Sequence, residues 1–195
     1  GQAEPEALIF QVVIVLAREV RADVDRITFA PADFASDAQQ HLARHDRRVE
    51  RAFDAAVVIV ADLDPGIEIA TAETNVVGFT RMIDAAFNYL KSHGGGHIGA
   101  VSSIAGTKGL GIAPAYSATK RFQNTYIQCL AQLSAMTRAN ITFTDIRPGF
   151  VDTDLLRSGN YPMLMRPEKT ARMIVDALRR KKRVATIDWR YRLLV

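Results

Sequence analysis

Residues 97–120 read HIGAVSSIAGTKGLGIAPAYSATK, and the change of pattern within this stretch indicates the fold. Residues 97–103 follow three glycines and form a short, mostly apolar stretch, which is typical of a strand. Residues 115–137 then place apolar side chains at helical spacing. One stripe of that helix carries Ala118, Phe122, Tyr126, Leu130 and Leu133. A strand followed by a long helix predicts one unit of an α/β sheet.

The rest of the chain repeats this alternation. Further strands are predicted at 12–16, 27–30, 55–61, 141–147 and 184–189. Further helices are predicted at 37–53, 72–92 and 167–181. The run at 55–61, AAVVIVA, is apolar throughout, which is typical of a parallel strand buried on both faces. We therefore predict an α/β fold with a doubly wound parallel sheet, in a single domain over residues 1–195.

Composition and charge narrow the class of protein. The chain has 195 residues, of which 48% are hydrophobic, and it carries a net charge of +4. This hydrophobic content excludes a disordered chain. No apolar run reaches the ~20 residues that a membrane-spanning helix needs. The single cysteine, Cys129, cannot form an internal disulfide, so we expect a cytoplasmic protein.

The positive charge is concentrated in residues 179–195, at the carboxyl end of the sequence. Because basic and aromatic residues are not spread over one face, nucleic acid is not an expected partner. Two interpretations of these cations stay open. They are either a solvated helix end or a weak contact with an anionic membrane surface.

Three side chains predict a proton-transfer site. Ser103 ends the strand at 97–103, and parallel strands of open α/β sheets end at the ligand-binding edge. Tyr116 and Lys120 are one helical turn apart, so they project from the same face. A phenol has an ordinary pKa of ~10 and exchanges protons poorly at neutral pH. A nearby cation favours the phenolate, so we expect Lys120 to lower the pKa of Tyr116.

Four motifs in this order resemble those of the short-chain dehydrogenase/reductase family. YSATK at 116–120 looks like its Y-x-x-x-K signature, and Ser103 in VSS matches its substrate-orienting serine. Asn75 in TNVVG matches the asparagine of its mid-chain helix, and PGFVDT at 148–153 resembles its segment after the sixth strand. The resemblance covers residues 54–190 and implies a Rossmann-like fold.

The resemblance also implies a catalytic role for each matching residue. Tyr116 would act as general acid or base toward the reacting oxygen, and Lys120 would lower its pKa and bind the nicotinamide ribose. Ser103 would hydrogen-bond the reacting oxygen, and Asn75 would anchor a water in a proton relay. The implied reaction is hydride transfer between a nicotinamide cofactor and a ketone, aldehyde, 3-oxoacyl group or secondary alcohol, without a metal.

For the cofactor, the resemblance implies NADP(H) or NAD(H), held in part by one segment. The cofactor-binding residues of that segment would be Pro148, Gly149, Val151 and Thr153, of which the Val151 backbone and the Thr153 side chain would hold the nicotinamide carboxamide. Asp33 would face the adenine ring, and Arg18 would suit a 2′-phosphate, which favours NADP(H). The family resemblance further implies a homodimer or homotetramer assembled through the helices at 72–92 and 115–137.

The amino-terminal part departs from the family pattern. The glycine-rich turn T-G-x-x-x-G-x-G, which holds the cofactor pyrophosphate at a helix N-terminus, has no counterpart here. Only ten residues separate the strands predicted at 12–16 and 27–30, too few for a usual crossover helix. The first unit, within 1–53, is therefore predicted to be incomplete. Either segments of a longer chain are missing from this sequence, or the chain is a non-catalytic binding or scaffold protein that lost its phosphate cradle.

Overall fold

The computed structural model describes residues 13–17, 63–153, 156 and 161–193, the first segment by its backbone alone. The elements in chain order are β1 (Val13–Ala17), α1 (Pro65–Ala72), a π-helical turn (Glu73–Gly78), α2 (Phe79–Ser92), β2 (Gly96–Val101), a 3₁₀ turn (Ile104–Gly106), α3 (Pro114–Thr137), β3 (Ile141–Arg147), α4 (Pro167–Arg179), β4 (Val184–Thr186) and α5 (Trp189–Arg192). Helices and strands thus alternate through the described part of the chain.

The described strands form one sheet in the order β1-β2-β3-β4. Strands β2, β3 and β4 are parallel, as the predicted doubly wound architecture requires. Strand β1 differs, because it pairs antiparallel with β2, with Val13 opposite Ala100. The predicted doubly wound parallel sheet is confirmed, and β1 is an antiparallel addition to it that the sequence pattern did not indicate. An antiparallel edge strand on an otherwise parallel sheet is common, since it needs no crossover helix to reach its place.

Two apolar clusters form the core, one on each side of the sheet. The first cluster joins α2 and α3 to β2 and β3, and its buried members include Phe79, Ile83, Leu90, Ile98, Ile127 and Phe143. The second cluster joins α4 and α5 to β3 and β4, and its buried members include Ile146, Met165, Leu178, Ile187 and Tyr191. Each large side chain contributes ~1.5–3 kcal/mol by its burial, so the two clusters hold the carboxyl edge of the sheet rigid.

The predicted helix at 72–92 begins earlier than the sequence pattern suggested. Helix α1 starts at Pro65, where the Asp64 carboxylate accepts a hydrogen bond of 2.8 Å from the Gly66 N–H. Aspartate as the capping residue and proline in the first turn are strong signals for a helix start. The π-helical turn then joins α1 to α2 without a break, so one helical segment extends over residues 65–92.

Other boundaries were predicted with mixed success. The predicted helix at 115–137 and strand at 141–147 are confirmed as Pro114–Thr137 and Ile141–Arg147. The strand predicted at 184–189 was wrong in its second half. It ends at Thr186, because Asp188 caps α5 by accepting a hydrogen bond of 3.0 Å from the Arg190 N–H. The elements predicted at 27–30, 37–53 and 55–61 lie outside the described residues.

Candidate active site

Ser103 lies just beyond β2, at the carboxyl edge of the sheet. Its side chain is buried, and its hydroxyl oxygen accepts a hydrogen bond of 3.0 Å from the Ala105 N–H at the start of the 3₁₀ turn. The hydroxyl also donates to the carbonyl of Pro148 at 3.5 Å. The Ile104 N–H donates to the same carbonyl at 3.1 Å. Ser103 is therefore fixed between the ends of β2 and β3.

Tyr116 and Lys120 project from the first turns of α3 toward Ser103. The Ser103 side chain lies near enough to the Tyr116 hydroxyl to lower the pKa of the phenol. The Lys120 Nζ lies 5.6 Å from the centroid of the Tyr116 ring, and the lysine side chain is buried. The structure thus brings together the serine, the tyrosine and the lysine that the sequence singled out.

The electrostatics of the pair differ from the expectation that Lys120 lowers the pKa of Tyr116. Burial raises the pKa of the Tyr116 phenol and outweighs the opposing effect of the nearby Ser103 side chain, which lowers it. Burial also lowers the pKa of Lys120 to about 8, against a smaller opposing effect of the Asp145 carboxylate. The amine lies against the phenol ring and bonds to Gln123 instead of to the phenol oxygen. The phenol is therefore held in its protonated form at neutral pH.

Asn75 reaches the same helix from the π-helical turn. Its Nδ2 donates a hydrogen bond of 3.1 Å to Thr119 Oγ1, and that hydroxyl donates to the Tyr116 carbonyl at 2.9 Å. Its main-chain carbonyl accepts from Gln123 Nε2 at 2.8 Å. π-helical turns inside α-helices occur frequently at functional sites. The structure places Asn75 beside Tyr116 and Lys120, while its role as a water anchor stays a prediction.

Sequence reasoning missed Gln123 as part of this cluster. Its side chain is fully buried, and its Oε1 accepts a hydrogen bond of 3.0 Å from Lys120 Nζ. The only signal in the sequence was its position three residues after Lys120, which puts both side chains on one face of α3. A glutamine is ordinarily exposed, so that spacing alone did not single it out.

Asp145 is a second buried residue near the lysine that the sequence analysis did not single out. Its carboxylate accepts hydrogen bonds from the Ser102 hydroxyl and from Arg147 Nε and Nη2, the last two at 2.8 and 2.6 Å. Its side chain is 2% exposed. A buried carboxylate needs such partners, because an unpaired charge in the interior is costly. Asp145 therefore supplies a fixed negative charge that favours the charged form of Lys120.

The segment at 148–153 leads away from Ser103 and is held by the carboxyl end of the chain. The Tyr191 ring packs against Gly149, where an added Cβ would overlap the ring. The Phe150 N–H donates to Tyr191 Oη at 3.1 Å. Val151 forms a bridge with Met165. The space beside the Gly149 Cα is filled by the Tyr191 ring, so packing at this position requires a glycine.

The predicted cofactor residues have different placements. Pro148 contacts Ser103 directly, as described above. Thr153 is exposed, and its hydroxyl donates to the Val151 carbonyl at 3.4 Å. Asp33 and Arg18 lie outside the described residues. Within 63–153 and 161–193, no three His, Cys, Asp or Glu side chains are arranged to hold a metal ion.

The donor set suits the ribose and carboxamide of a nicotinamide nucleotide. Lys120 offers a buried ammonium and Tyr116 a phenol hydroxyl, both in the first turns of α3, and Thr153 offers an exposed hydroxyl on the segment that follows β3. These groups match the hydroxyl and amide oxygens of that part of the nucleotide. Among the helices that the structure describes, none is both long and apolar enough to cross a membrane.

Known proteins resemble this chain in sequence. An uncharacterized oxidoreductase of Myxococcus xanthus is 35% identical over 91 residues, which cover 47% of this chain and 35% of that protein. An uncharacterized oxidoreductase of Mycobacterium tuberculosis is 29% identical over 122 residues, which cover 62% of this chain and 47% of that protein. The chain thus spans less than half the length of these curated relatives.

Solved structures share the fold, and a family model matches most of the sequence. A short chain dehydrogenase from Burkholderia cenocepacia in complex with NADP has a TM-score of 0.63 at 21% identity, covering 75% of this chain and 68% of that one. A 3-ketoacyl-ACP reductase from Sinorhizobium meliloti has a TM-score of 0.56 at 26% identity, covering 70% and 64%. The family model described as short chain dehydrogenase matches residues 15–162. With the site geometry above, this match shows that the chain belongs to the short-chain dehydrogenase family of oxidoreductases.

Proposed function

We propose that the protein transfers a hydride between a nicotinamide cofactor and a ketone, aldehyde, 3-oxoacyl group or secondary alcohol. The observation that carries the proposal is the placement of the Tyr116 phenol beside Ser103 at the carboxyl edge of the sheet, with the Lys120 Nζ 5.6 Å from the centroid of the same ring. Two hydroxyls that converge on one point suit a carbonyl oxygen, which accepts two hydrogen bonds. The resemblance to a 3-ketoacyl-ACP reductase supports the 3-oxoacyl group among these substrates.

The electrostatics favour the reductive direction at neutral pH. Because burial raises the pKa of the Tyr116 phenol, the phenol carries its proton and is ready to donate it to a carbonyl oxygen. Ser103 donates a hydrogen bond to the same oxygen and stabilises the negative charge that develops on it. The charged form of Lys120 stabilises the tyrosinate that remains after the proton has left.

The cofactor supplies or accepts the hydride, and the protein aligns it with the substrate carbon. We propose that Lys120 and Tyr116 hold the nicotinamide ribose and that Pro148, Gly149, Val151 and Thr153 line its carboxamide side, with Gly149 acting through its backbone. The NADP complex of the Burkholderia cenocepacia relative favours NADP(H) over NAD(H). We also propose contacts of Asp33 with adenine and of Arg18 with a 2′-phosphate, two residues that lie outside the described part of the chain.

Substitution of the tyrosine tests the proposal. Tyr116→Phe removes the proton donor but keeps the ring, and we expect kcat to fall by ~10²–10⁴-fold. The assay follows NADPH oxidation with a series of ketones and 3-oxoacyl thioesters. Tyr126→Phe is the matched control, because Tyr126 lies on the same helix and its hydroxyl donates to Asp84, 2.8 Å away and outside the site. Undiminished turnover in Tyr116→Phe would refute the assignment.

A second candidate function is that of a non-catalytic binding or scaffold protein. It is favoured by the sequence, in which Gly1 and Gly66 are the only glycines before Gly78, so the pyrophosphate turn of the family has no counterpart. Calorimetric titration of NADPH and NADH into the protein separates the two. Micromolar binding supports the oxidoreductase, and binding no tighter than millimolar supports the scaffold.

Exposed side chains support proposals for the oligomeric state of the protein and for its contact with lipid. Exposed apolar side chains on α1, on the π-helical turn and on α3 support a homodimer or homotetramer; they are Ile69, Val77, Leu133 and Met136. Analytical ultracentrifugation measures that state directly.

The exposed cations Arg179, Arg180, Lys181 and Arg183 support a weak contact with anionic lipid. We place the protein in the cytoplasm, which a fractionation experiment tests.

A further inference from the structure

The buried glutamine of α3 joins two parts of the site that are far apart in sequence. Gln123 Oε1 accepts from Lys120 Nζ at 3.0 Å, and Gln123 Nε2 donates to the Asn75 carbonyl at 2.8 Å. The first contact stays within α3, and the second crosses to the π-helical turn. The side chain has no exposed surface. Its carboxamide is therefore a bridge between the lysine and the helical segment that carries Asn75.

The two partners fix which way the carboxamide points. An ammonium only donates hydrogen bonds, so the end of the carboxamide that faces Lys120 must be the oxygen. A main-chain carbonyl only accepts, so the end that faces Asn75 must be the NH₂ group. A flipped amide would place donor against donor and acceptor against acceptor. The orientation thus follows from chemistry, and the bridge has one arrangement.

We infer that Gln123 is a positioning residue for Lys120. The Gln123 carboxamide links the Lys120 amine to the Asn75 carbonyl and holds the amine in its charged form against the Tyr116 ring. This inference rests on the proposed function, because it concerns the lysine of the proposed site. The carboxamide does not ionise at ordinary pH, so it holds the amine by hydrogen bonding without acting as an acid or a base. The resemblance implies that Asn75 anchors a water in a proton relay, and here the Gln123 carboxamide donates to the Asn75 carbonyl.

The charge state of Lys120 depends on few groups, which makes the inference testable. Tyr116 faces the amine from α3, and Asp145 faces it from β3 with its charge balanced by Arg147. From α1 the charged group nearest to α3 is Glu68, whose carboxylate accepts from the Ala115 N–H at 2.9 Å. Burial disfavours the ammonium, and the Gln123 oxygen is its hydrogen-bond acceptor at 3.0 Å.

Two substitutions of the glutamine move the lysine in opposite directions. Gln123→Met keeps the length of the side chain but removes the hydrogen-bond acceptor. The neutral form of the Lys120 amine is then favoured over the ammonium, and its titration midpoint falls by about one pH unit. Gln123→Glu puts a negative charge beside the amine, so the midpoint rises by about one unit or more. A purely structural role for Gln123 would produce no such opposed pair of shifts.

The measurement is an NMR titration of the protein labelled with ¹³Cε-lysine, with Lys120 assigned through Lys120→Arg. In the wild type we expect a midpoint near the pKa of about 8. The matched control is Gln132→Met, which makes the same change at an exposed position of α3 and should leave the midpoint unchanged. Equal midpoints in wild type and Gln123→Met would overturn the inference. If Gln123→Met does not fold, the absence of an upward shift in Gln123→Glu overturns it.

Kinetics separate this inference from the proposed function. In carbonyl reduction with NADPH, kcat of Gln123→Met should fall about tenfold to a hundredfold, and the high-pH limb of its profile should move to lower pH. If Tyr116→Phe keeps full activity, the proposed function fails, whatever the lysine titration shows. If Tyr116→Phe is inactive but the midpoint of Lys120 stays in place in both Gln123 variants, only the role of Gln123 fails.

Discussion

His97 makes the stability of the fold depend on pH in the mildly acidic range. It lies on β2, is 4% exposed, and its Nε2 is hydrogen-bonded to Thr144 Oγ1 at 2.8 Å. Burial lowers the pKa of His97 to about 4 from 6.5, with a smaller contribution from Lys181. The folded protein therefore binds this proton less readily than the unfolded chain does. The stabilisation is complete above pH 6.5 and is lost as the pH falls toward 4.

The size of the effect follows from the shift. At 1.36 kcal/mol per pKa unit, the difference between 6.5 and about 4 corresponds to about 3 kcal/mol, of which about 2 kcal/mol is lost by pH 5. This is a large share of the 5–15 kcal/mol that ordinarily stabilises a protein domain. Strand β2 leads directly to Ser103, so acid unfolding would remove the proposed site together with the core.

Urea denaturation at several pH values between 7 and 4.5 measures the effect. The free energy of unfolding of the wild type should fall more steeply with decreasing pH than that of His97→Gln, whose amide stays neutral and can still reach Thr144. His93→Gln is the matched control, because His93 is exposed and its removal leaves His97 in place. Parallel curves for the wild type and His97→Gln between pH 6.5 and 4.5 would refute the reasoning.

Three other substitutions test the packing and the electrostatics around the site. Gly149→Ala should destabilise the protein by ~1–3 kcal/mol in urea denaturation, since the new Cβ overlaps the Tyr191 ring; an unchanged midpoint would contradict that packing. Tyr191→Phe should lower the free energy of unfolding by ~1–3 kcal/mol and raise KM for NADPH, because it removes the hydroxyl that accepts a hydrogen bond from the Phe150 N–H. Unchanged stability and KM would count against a role of Tyr191 in holding the segment at 148–153. Between pH 8 and 10.5 Lys120 stays charged only in the unfolded chain, so the free energy of unfolding of the wild type should rise by up to ~3 kcal/mol over this range. Lys120→Met should abolish this rise. A rise that persists in the variant would have to come from another group.

The apolar pattern was sufficient to predict α2, α3 and α4 and the parallel strands β2, β3 and β4, apart from some of their boundaries. Strand β3 and helix α3 matched because their apolar residues recur at the spacing of the element that they form. The pattern failed where a polar cap decides the boundary. Asp64 caps the start of α1, and Asp188 caps the start of α5 and so ends the strand that was predicted at 184–189. Each carboxylate accepts one backbone hydrogen bond. The direction of β1 could not be predicted, since the side-chain pattern of a strand is the same in either orientation.

The candidate site shows the same limit at the level of single side chains. Ser103, Tyr116 and Lys120 were predictable because their spacing puts them on one edge of the sheet and one face of a helix. Gln123 was not, because burial of a polar side chain depends on a partner 48 residues away, the carbonyl of Asn75. Nothing in the residues next to Gln123 encodes that partner.

Helix α3 explains why the polar members of the site escape a search for apolar stripes. The buried face of its second half is mainly apolar, with Ile127 and Leu130 in the first core cluster. The buried face of its first half is polar, with Ser117, Lys120 and Gln123. Each of these three side chains is buried and hydrogen-bonded, and the hydrogen bonds offset the cost of removing a polar group from water. One helix thus anchors the core with its carboxyl half and presents the proposed proton donor with its amino half, so a substitution in the first half should alter titration before it alters folding.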